Sequence, residues 1–299
     1  MTTFHSIHRW MVIALAVAPL HADCCKNSVA VIASLSGHAV VRPPGRREKM
    51  PVSTLDWLSD GATLEVAPQS QAVMILLNGH RYELRGGAKA TVSGNAAPKI
   101  TGAAQELPAL PPIPRPAPVV AESAPTSGAV RVRGAAEMSG LYPRAGSVAI
   151  SDKVALQYKA VPEATSYRVT LEDDAGNSLL NVTTESTEVV VPNGTIQAGS
   201  HYYWRVRAML SGAEIGAGMA GFTTLSPDDA LQRMEFSEAL GASSKDPATI
   251  ALLADVDLRL GLVAEACDEF SAALKQKPDD AVLRRALDSA RSRLAGEVK

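Results

Sequence analysis

Aromatic side chains make up only 4% of this 299-residue chain, so one large aromatic-filled core is excluded and several smaller ones are expected. Cysteine is nearly absent: Cys24 and Cys25 are adjacent, Cys267 stands alone, and no Cys-x-x-Cys redox spacing occurs. Positive charge is not in surplus, because 29 Lys and Arg face 31 Asp and Glu for a net charge of −2. Nothing in that balance favours counterion release, and no nucleic-acid partner is expected. The apolar run Trp10–Leu20 holds 11 residues, against about 20 for a membrane-spanning helix. Catalytic signatures are lacking as well: there is no Gly-x-Ser-x-Gly elbow, His-Glu-x-x-His helix or phosphate loop. His38, His80 and His201 each stand without a second ligand at helical or hairpin spacing. No catalytic residue, cofactor or metal site is therefore expected, and the chain reads as a non-enzyme, although a site assembled from distant residues leaves no such signature.

What is present begins with an export signal. Arg9, the short apolar run and the small residue Ala22 form a secretory leader, with cleavage expected after Ala22. The mature chain is then expected in the periplasm, at the cell surface or secreted, with no transmembrane segment. His21, Ala22 and Asp23 do not make the pattern that lipidation of Cys24 wants, which disfavours a lipid anchor. Arg42, Arg46, Arg47 and Lys49 form a basic strip that reads as a solvated loop, with a polyanion or membrane-surface contact as the alternative.

From Ser28 to about Ser93 strand patterns follow one another. The clearest is Ala72–Leu84, split by Asn78-Gly79, a pair suited to a two-residue turn with positive φ at both positions. That turn predicts Leu77 opposite His80, Ile75 opposite Tyr82 and Val73 opposite Leu84, all on one face, with Met74 and Leu76 on a second face only half covered. The stretches Asp60-Gly61-Ala62-Thr63-Leu64, Ser70–Gly79 and Tyr82-Glu83-Leu84 resemble the β-rich FecR-type domain of bacterial envelope proteins. In the regulator that names the family, the resemblance implies a periplasmic domain behind a transmembrane helix and a cytoplasmic segment that handles a sigma factor. Neither of those is legible here.

Between Leu107 and Thr126 seven prolines recur, a composition that extends as polyproline II and reads as a spacer. Beyond it, Val154, Leu156 and Tyr158 share one side of a strand, as do Tyr167, Val169 and Leu171 of the next, and strands at this spacing argue for a sandwich. Trp204-Arg205-Val206-Arg207-Ala208, after Tyr202-Tyr203, resembles the penultimate strand of a fibronectin type III domain, and Ala164–Val169 resembles its third strand. Alternation sets Tyr202 and Trp204 against His201 and Tyr203, and the outward pair Tyr203 and His201 is the candidate binding platform. Gly216–Gly221 spells the dinucleotide fingerprint, but Phe222-Thr223-Thr224 continues as a strand where a helix is required. A small-residue loop and final strand is the reading there.

After Leu225 the period becomes helical. Ser226-Pro227-Asp228-Asp229, Asp246-Pro247 and Lys277-Pro278-Asp279-Asp280 are helix boundary signals, and three or so helices are expected. Leu253, Ala254, Gly261, Ala266, Phe270, Ala273 and Pro278 resemble one tetratricopeptide repeat over 247–280, with Asp257 where that repeat usually has an aromatic residue. One repeat cannot stand alone, so the helices are expected to dock on the sandwich, on another copy or on a partner.

The fold class expected is multidomain and mainly β with an α-helical C-terminal tail: signal peptide 1–22, a small antiparallel FecR-like β domain 28–95, a Pro-rich linker 96–128, a fibronectin type III-like β-sandwich 129–225 and a helical tetratricopeptide-like region 226–299. The function expected is a non-catalytic exported envelope protein, a binding or scaffold module for a protein, surface polysaccharide or peptidoglycan partner, with self-association through the C-terminal helices as one mode. A carbohydrate-binding accessory module and an envelope signalling component are the alternatives.

Overall fold

A computed structural model describes residues 28–94, 96–114, 136–144, 147–241 and 246–295. The leader 1–22, Cys24, Cys25 and the linker from residue 115 onward lie outside the described residues.

The first unit contains β1 (Ser28–Ser36), β2 (Ala39–Arg42), β3 (Met50–Pro51), β4 (Trp57–Ser59), β5 (Thr63–Val66), β6 (Gln71–Leu76), β7 (Arg81–Arg85), β8 (Lys89–Thr91), β9 (Lys99–Thr101) and β10 (Ala104–Leu107). They form two antiparallel five-stranded sheets, ordered β10-β7-β6-β1-β4 and β3-β2-β5-β8-β9. Ala30, Ile32, Met74 and Leu84 of the first sheet meet Leu64 and Ala90 of the second in a sealed core, as alternating strands require.

The β6–β7 hairpin departs from the expected register by one residue. Met74 pairs with Tyr82 and Ile75 with Arg81, so the connection is a three-residue loop in which Gly79 has positive φ and Asn78 does not. A single left-handed glycine suits the longer loop, whereas the two-residue turn would need both. A one-residue slip exchanges the faces. Ala72, Met74, Leu76, Tyr82 and Leu84 therefore turn to the inner core, while Ile75 and Leu77 turn outward.

The proline-rich linker expected from residue 96 is also corrected over its described part. Residues 99–107 supply β9 and β10 as sheet edges, and the prolines that follow keep the chain extended on the hairpin. Leu110 N–H donates to Gly79 O at 3.0 Å and Ile113 N–H to Leu77 O at 2.9 Å. A side chain at position 79 would place its Cβ 1.9 Å from Leu110 O, so glycine serves both the loop and this close approach.

The second unit contains β11 (Ala136–Glu137), β12 (Val148–Ala149), β13 (Ala155–Gln157), β14 (Ser166–Asp173), β15 (Ser178–Thr184), β16 (Glu188–Val190), β17 (His201–Leu210) and β18 (Ala213–Thr224). One sheet runs β11-β18-β17-β14-β15 with β12 also on β18, and β13 pairs with β16 in the other. Leu156, Tyr158, Tyr167, Val169, Leu171, Trp204 and Phe222 fill the space between them. Tyr202 hydroxyl accepts from Gln197 N–H at 2.6 Å, the tyrosine corner that ties a sandwich strand to the chain just before it. The residues 216–221 lie wholly within β18, so the glycine string forms a strand and no part of it is a loop. Gly218 faces Leu141 and Met138, where a side chain would keep the N-terminal segment off the sheet.

Four helices follow: α1 (Pro227–Gly241), α2 (Pro247–Leu260), α3 (Val263–Gln276) and α4 (Ala281–Ala295), one more than the boundary signals first indicate. Ser226 Oγ accepts from Asp229 N–H at 3.1 Å, and Asp280 Oδ1 accepts from Val282 N–H at 2.9 Å, each satisfying an otherwise orphaned amide at a helix start. Ala251, Ala254, Ala266 and Ala273 let α2 and α3 approach closely, with Phe270 and Leu287 filling the remaining space.

The opposite stripe of α2, Leu252, Val256 and Leu260, faces the outer side of the first sheet. There Val31, Ile75, Leu110, Ile113, Leu225 and Phe236 join it in a third core. The helices thus dock chiefly on the first unit, with Val148, Ile150 and Leu225 bringing the sandwich to the same core. At its edge, Trp57 Nε1 donates to Asp255 Oδ2 at 2.6 Å while the Arg259 guanidinium stacks 3.4 Å from the Trp57 ring centroid.

Phe236 is fully buried in this shared core. Phe236→Ala is expected to lower the unfolding free energy by about 3–5 kcal/mol. Hydrogen exchange should then accelerate in β1 and β6 as well as in α2. Acceleration confined to the helices would mean that the first unit does not depend on them.

Candidate functional site

The strongest candidate for a functional surface is the outer face of the sandwich's larger sheet. Burial of Tyr202, Trp204, Val206 and Ala208 forces the alternate residues of β17 outward: His201, Tyr203, Arg205 and Arg207. The inner set is anchored by Trp204 Nε1 donating to Pro143 O at 2.7 Å and by the Tyr202–Phe222 ring contact at 5.6 Å. The outer pair is ordered in its own right. His201 and Tyr203 meet edge to face with centroids 4.5 Å apart, and His201 Nδ1 lies 3.0 Å from Asp174 Oδ1. Gly221 pairs with Tyr203 across the strands, and a Cβ there would fall 3.1 Å from the tyrosine ring and 3.2 Å from the imidazole. Its missing side chain is what lets both rings settle on the sheet.

Strand pairing adds residues that the pattern of one strand cannot supply. Arg168 stands directly opposite Arg207, and Thr170 opposite Arg205, which in turn lies opposite Met219. Arg207 Nε is 3.6 Å from Glu214, Arg205 Nη2 is 3.7 Å from Met219 Sδ, and Met219 is 43% exposed. Like charges placed directly across a strand pair work against the sheet, so the two opposed arginines are not explained by sheet stability.

No protein-family model matches the chain, and no curated protein does. Among solved structures it is similar to a fibronectin type III-like protein from Clostridium thermocellum, with 25% identity over 30% of this chain and 94% of that one and a TM-score of 0.24. It is also similar to the FN1–FN3 domains of chicken CNTN1, at 10% identity over 64% of this chain and 55% of that one with a TM-score of 0.25. A two-domain fibronectin type III segment of chicken tenascin covers 66% of this chain and 94% of its own, at 10% identity and a TM-score of 0.24. All three of these neighbours are fibronectin type III-like proteins or domains. The sandwich's chemistry is read from its own outer face: an aromatic ring for an apolar surface, and guanidinium groups for carboxylate or other anionic groups.

Other titratable groups gather in the helices. Asp257 is fully buried and receives both Nε and Nη2 of Arg233, with Nε at 2.7 Å. Glu269 Oε1 lies 3.5 Å from the same guanidinium, and Oε2 of both Glu265 and Glu269 is buried without a hydrogen-bond partner. Asp257 therefore replaces an apolar contact with an ion pair that ties α1 to α2. Among the described residues no group of three His, Cys, Asp or Glu side chains is arranged to hold a metal. Cys267 is buried in α3, and burial pushes its thiol up, away from the nucleophilic thiolate.

Glu269 is pushed up to about 8, first by burial and then by the negative charge of Asp257. Between its ordinary value of 4.5 and about 8 the folded chain holds a proton there that the unfolded chain has released. Stability is consequently greatest at the acidic end of that window and falls as pH rises through it. Glu269→Gln keeps a donor toward Asp257 and is expected to give a shallower fall of Tm between about pH 5 and about pH 8. A pH slope equal to that of the parent would rule out this carboxyl as its source.

Proposed function

We propose that this chain is a non-catalytic exported envelope protein that acts as a binding or scaffold module, and that its contact surface includes the outer face of the fibronectin-like sandwich. The observation that carries the reading is the opposed pair Arg168 and Arg207 beside Arg205, Tyr203 and His201 on one exposed sheet face. The leader pattern supports export, and the FecR-like and tetratricopeptide-like patterns support an envelope setting. A helical groove is a weaker contact surface than the sheet, because α2 uses one stripe against the first unit and the other against α3. For contact through the helices, including self-association, α1 offers Leu231 and Met234, which are exposed.

A carbohydrate partner is the second reading, favoured by Tyr203 lying on the same sheet face as Arg205 and Arg207. In a pull-down from envelope extract, the mature protein is expected to retain a reproducible partner that is lost with Tyr203→Ala or Arg205→Ala at unchanged thermal stability. If both variants retain what the parent retains, the sandwich face is not the contact. Capture on polysaccharide arrays, again lost with Tyr203→Ala, would select the carbohydrate reading.

A further inference from the structure

The first unit carries a second charged surface that its linear sequence disguises. On the outer side of the sheet β3-β2-β5-β8-β9 the pairings set Arg42, Thr63, Thr91 and Lys99 in one row and Val40, Glu65, Lys89 and Thr101 in the next. The residues opposite in phase, Val41, Leu64, Ala90 and Ile100, face the core. Arg46, Arg47, Glu48 and Lys49 are exposed in the connection from β2 to β3, at the margin of this face. Six cations thus adjoin two carboxylates in a chain whose net charge is −2. Glu65 already receives three of them, with Lys49 at 2.7 Å, Arg42 at 2.8 Å and Lys89 at 3.6 Å. One carboxylate cannot neutralise three cations, and Lys99 stands three strand spacings from Arg42, about 14 Å away.

We infer that this face docks a linear carboxylate-bearing polysaccharide. The cations are spread across four strands, and between Arg42 and Lys99 their row bears hydroxyls, where Thr63 and Thr91 share a hydrogen bond at 3.0 Å. The large apolar side chains exposed among the described residues are Val190, Met219, Leu231 and Met234, all in other units, so the face offers no wedge for a bilayer. Neither row bears an aromatic side chain, so it offers no stacking surface for bases. The inference rests on the reading of the chain as a binding module, but not on the sandwich face.

The test is a titration of the mature protein with polygalacturonate, with neutral dextran, duplex DNA and phosphatidylglycerol vesicles as the other arms. Polygalacturonate is expected to bind most tightly and to weaken steeply with added NaCl. The exposed triple variant Arg42→Ala, Arg46→Ala, Arg47→Ala should weaken it by about ten-fold or more. Glu65→Gln should tighten it, a gain that a misfolded variant cannot mimic. Affinity unchanged in both variants, equal binding of dextran, or tighter binding of DNA or vesicles would overturn the inference. The envelope pull-down reports on the binding module as a whole and this titration on the basic face alone, so either can fail while the other holds.

Discussion

The arrangement of the molecule depends on the apolar outer side of one sheet. β1 and β6 present large aliphatic residues to both of their faces, so the first unit cannot close its surface with two sheets alone. Val31 and Ile75 need a second cover, and it comes from three places at once: the proline-bearing strip through Leu110 and Ile113, the α2 stripe Leu252, Val256 and Leu260, and Phe236 of α1. Because Leu225, Val148 and Ile150 enter the same core, the sandwich and the helices are held to the first unit by burial that none of the three could complete alone. The proline-rich sequence before residue 115 is thereby part of the packing, with its extended backbone matched to the hairpin it covers.

Polar groups at the margins of that core give it specificity. Burying a carboxylate carries a desolvation penalty that only well-placed partners offset. Asp257 meets the two-pronged guanidinium of Arg233, and half-buried Asp255 is shared by Trp57 and Arg259. An apolar residue at either place would hold α2 by area alone, whereas a directed bond also selects which neighbour it sits against. The excess of carboxyls around Arg233 has the opposite effect: with half-buried Glu265 and Glu269 beside Asp257, the cluster holds together best when one of them keeps its proton.

A near-neutral chain can still have strongly polarised faces. Lys89 and Lys99 reach the same sheet face as the Arg42–Lys49 strip only because β8 and β9 pair beyond β5. Arg168 reaches Arg207 only because β14 lies beside β17. Both groupings place like charges side by side, which is a cost in folding and an asset in contact with an anionic partner.

Much of this was decided by local sequence. The alternation in β14 and β17 set Tyr167, Val169, Leu171, Tyr202 and Trp204 inside and left Tyr203 and His201 outside, because a strand's period of two allows no other sorting once one face is buried. Ser226 and Asp280 marked helix starts because a short side-chain acceptor satisfies the free amides wherever it occurs. The one-residue slip of the β6–β7 hairpin, the docking of the prolines, the partner of Asp257 and the grouping of distant arginines and lysines were decided only in the tertiary structure. Each depends on which residues from remote parts of the chain lie across a strand or against a face. Periodicity fixes which side of an element a residue occupies, but the element brought to that side is chosen by burial of the whole chain.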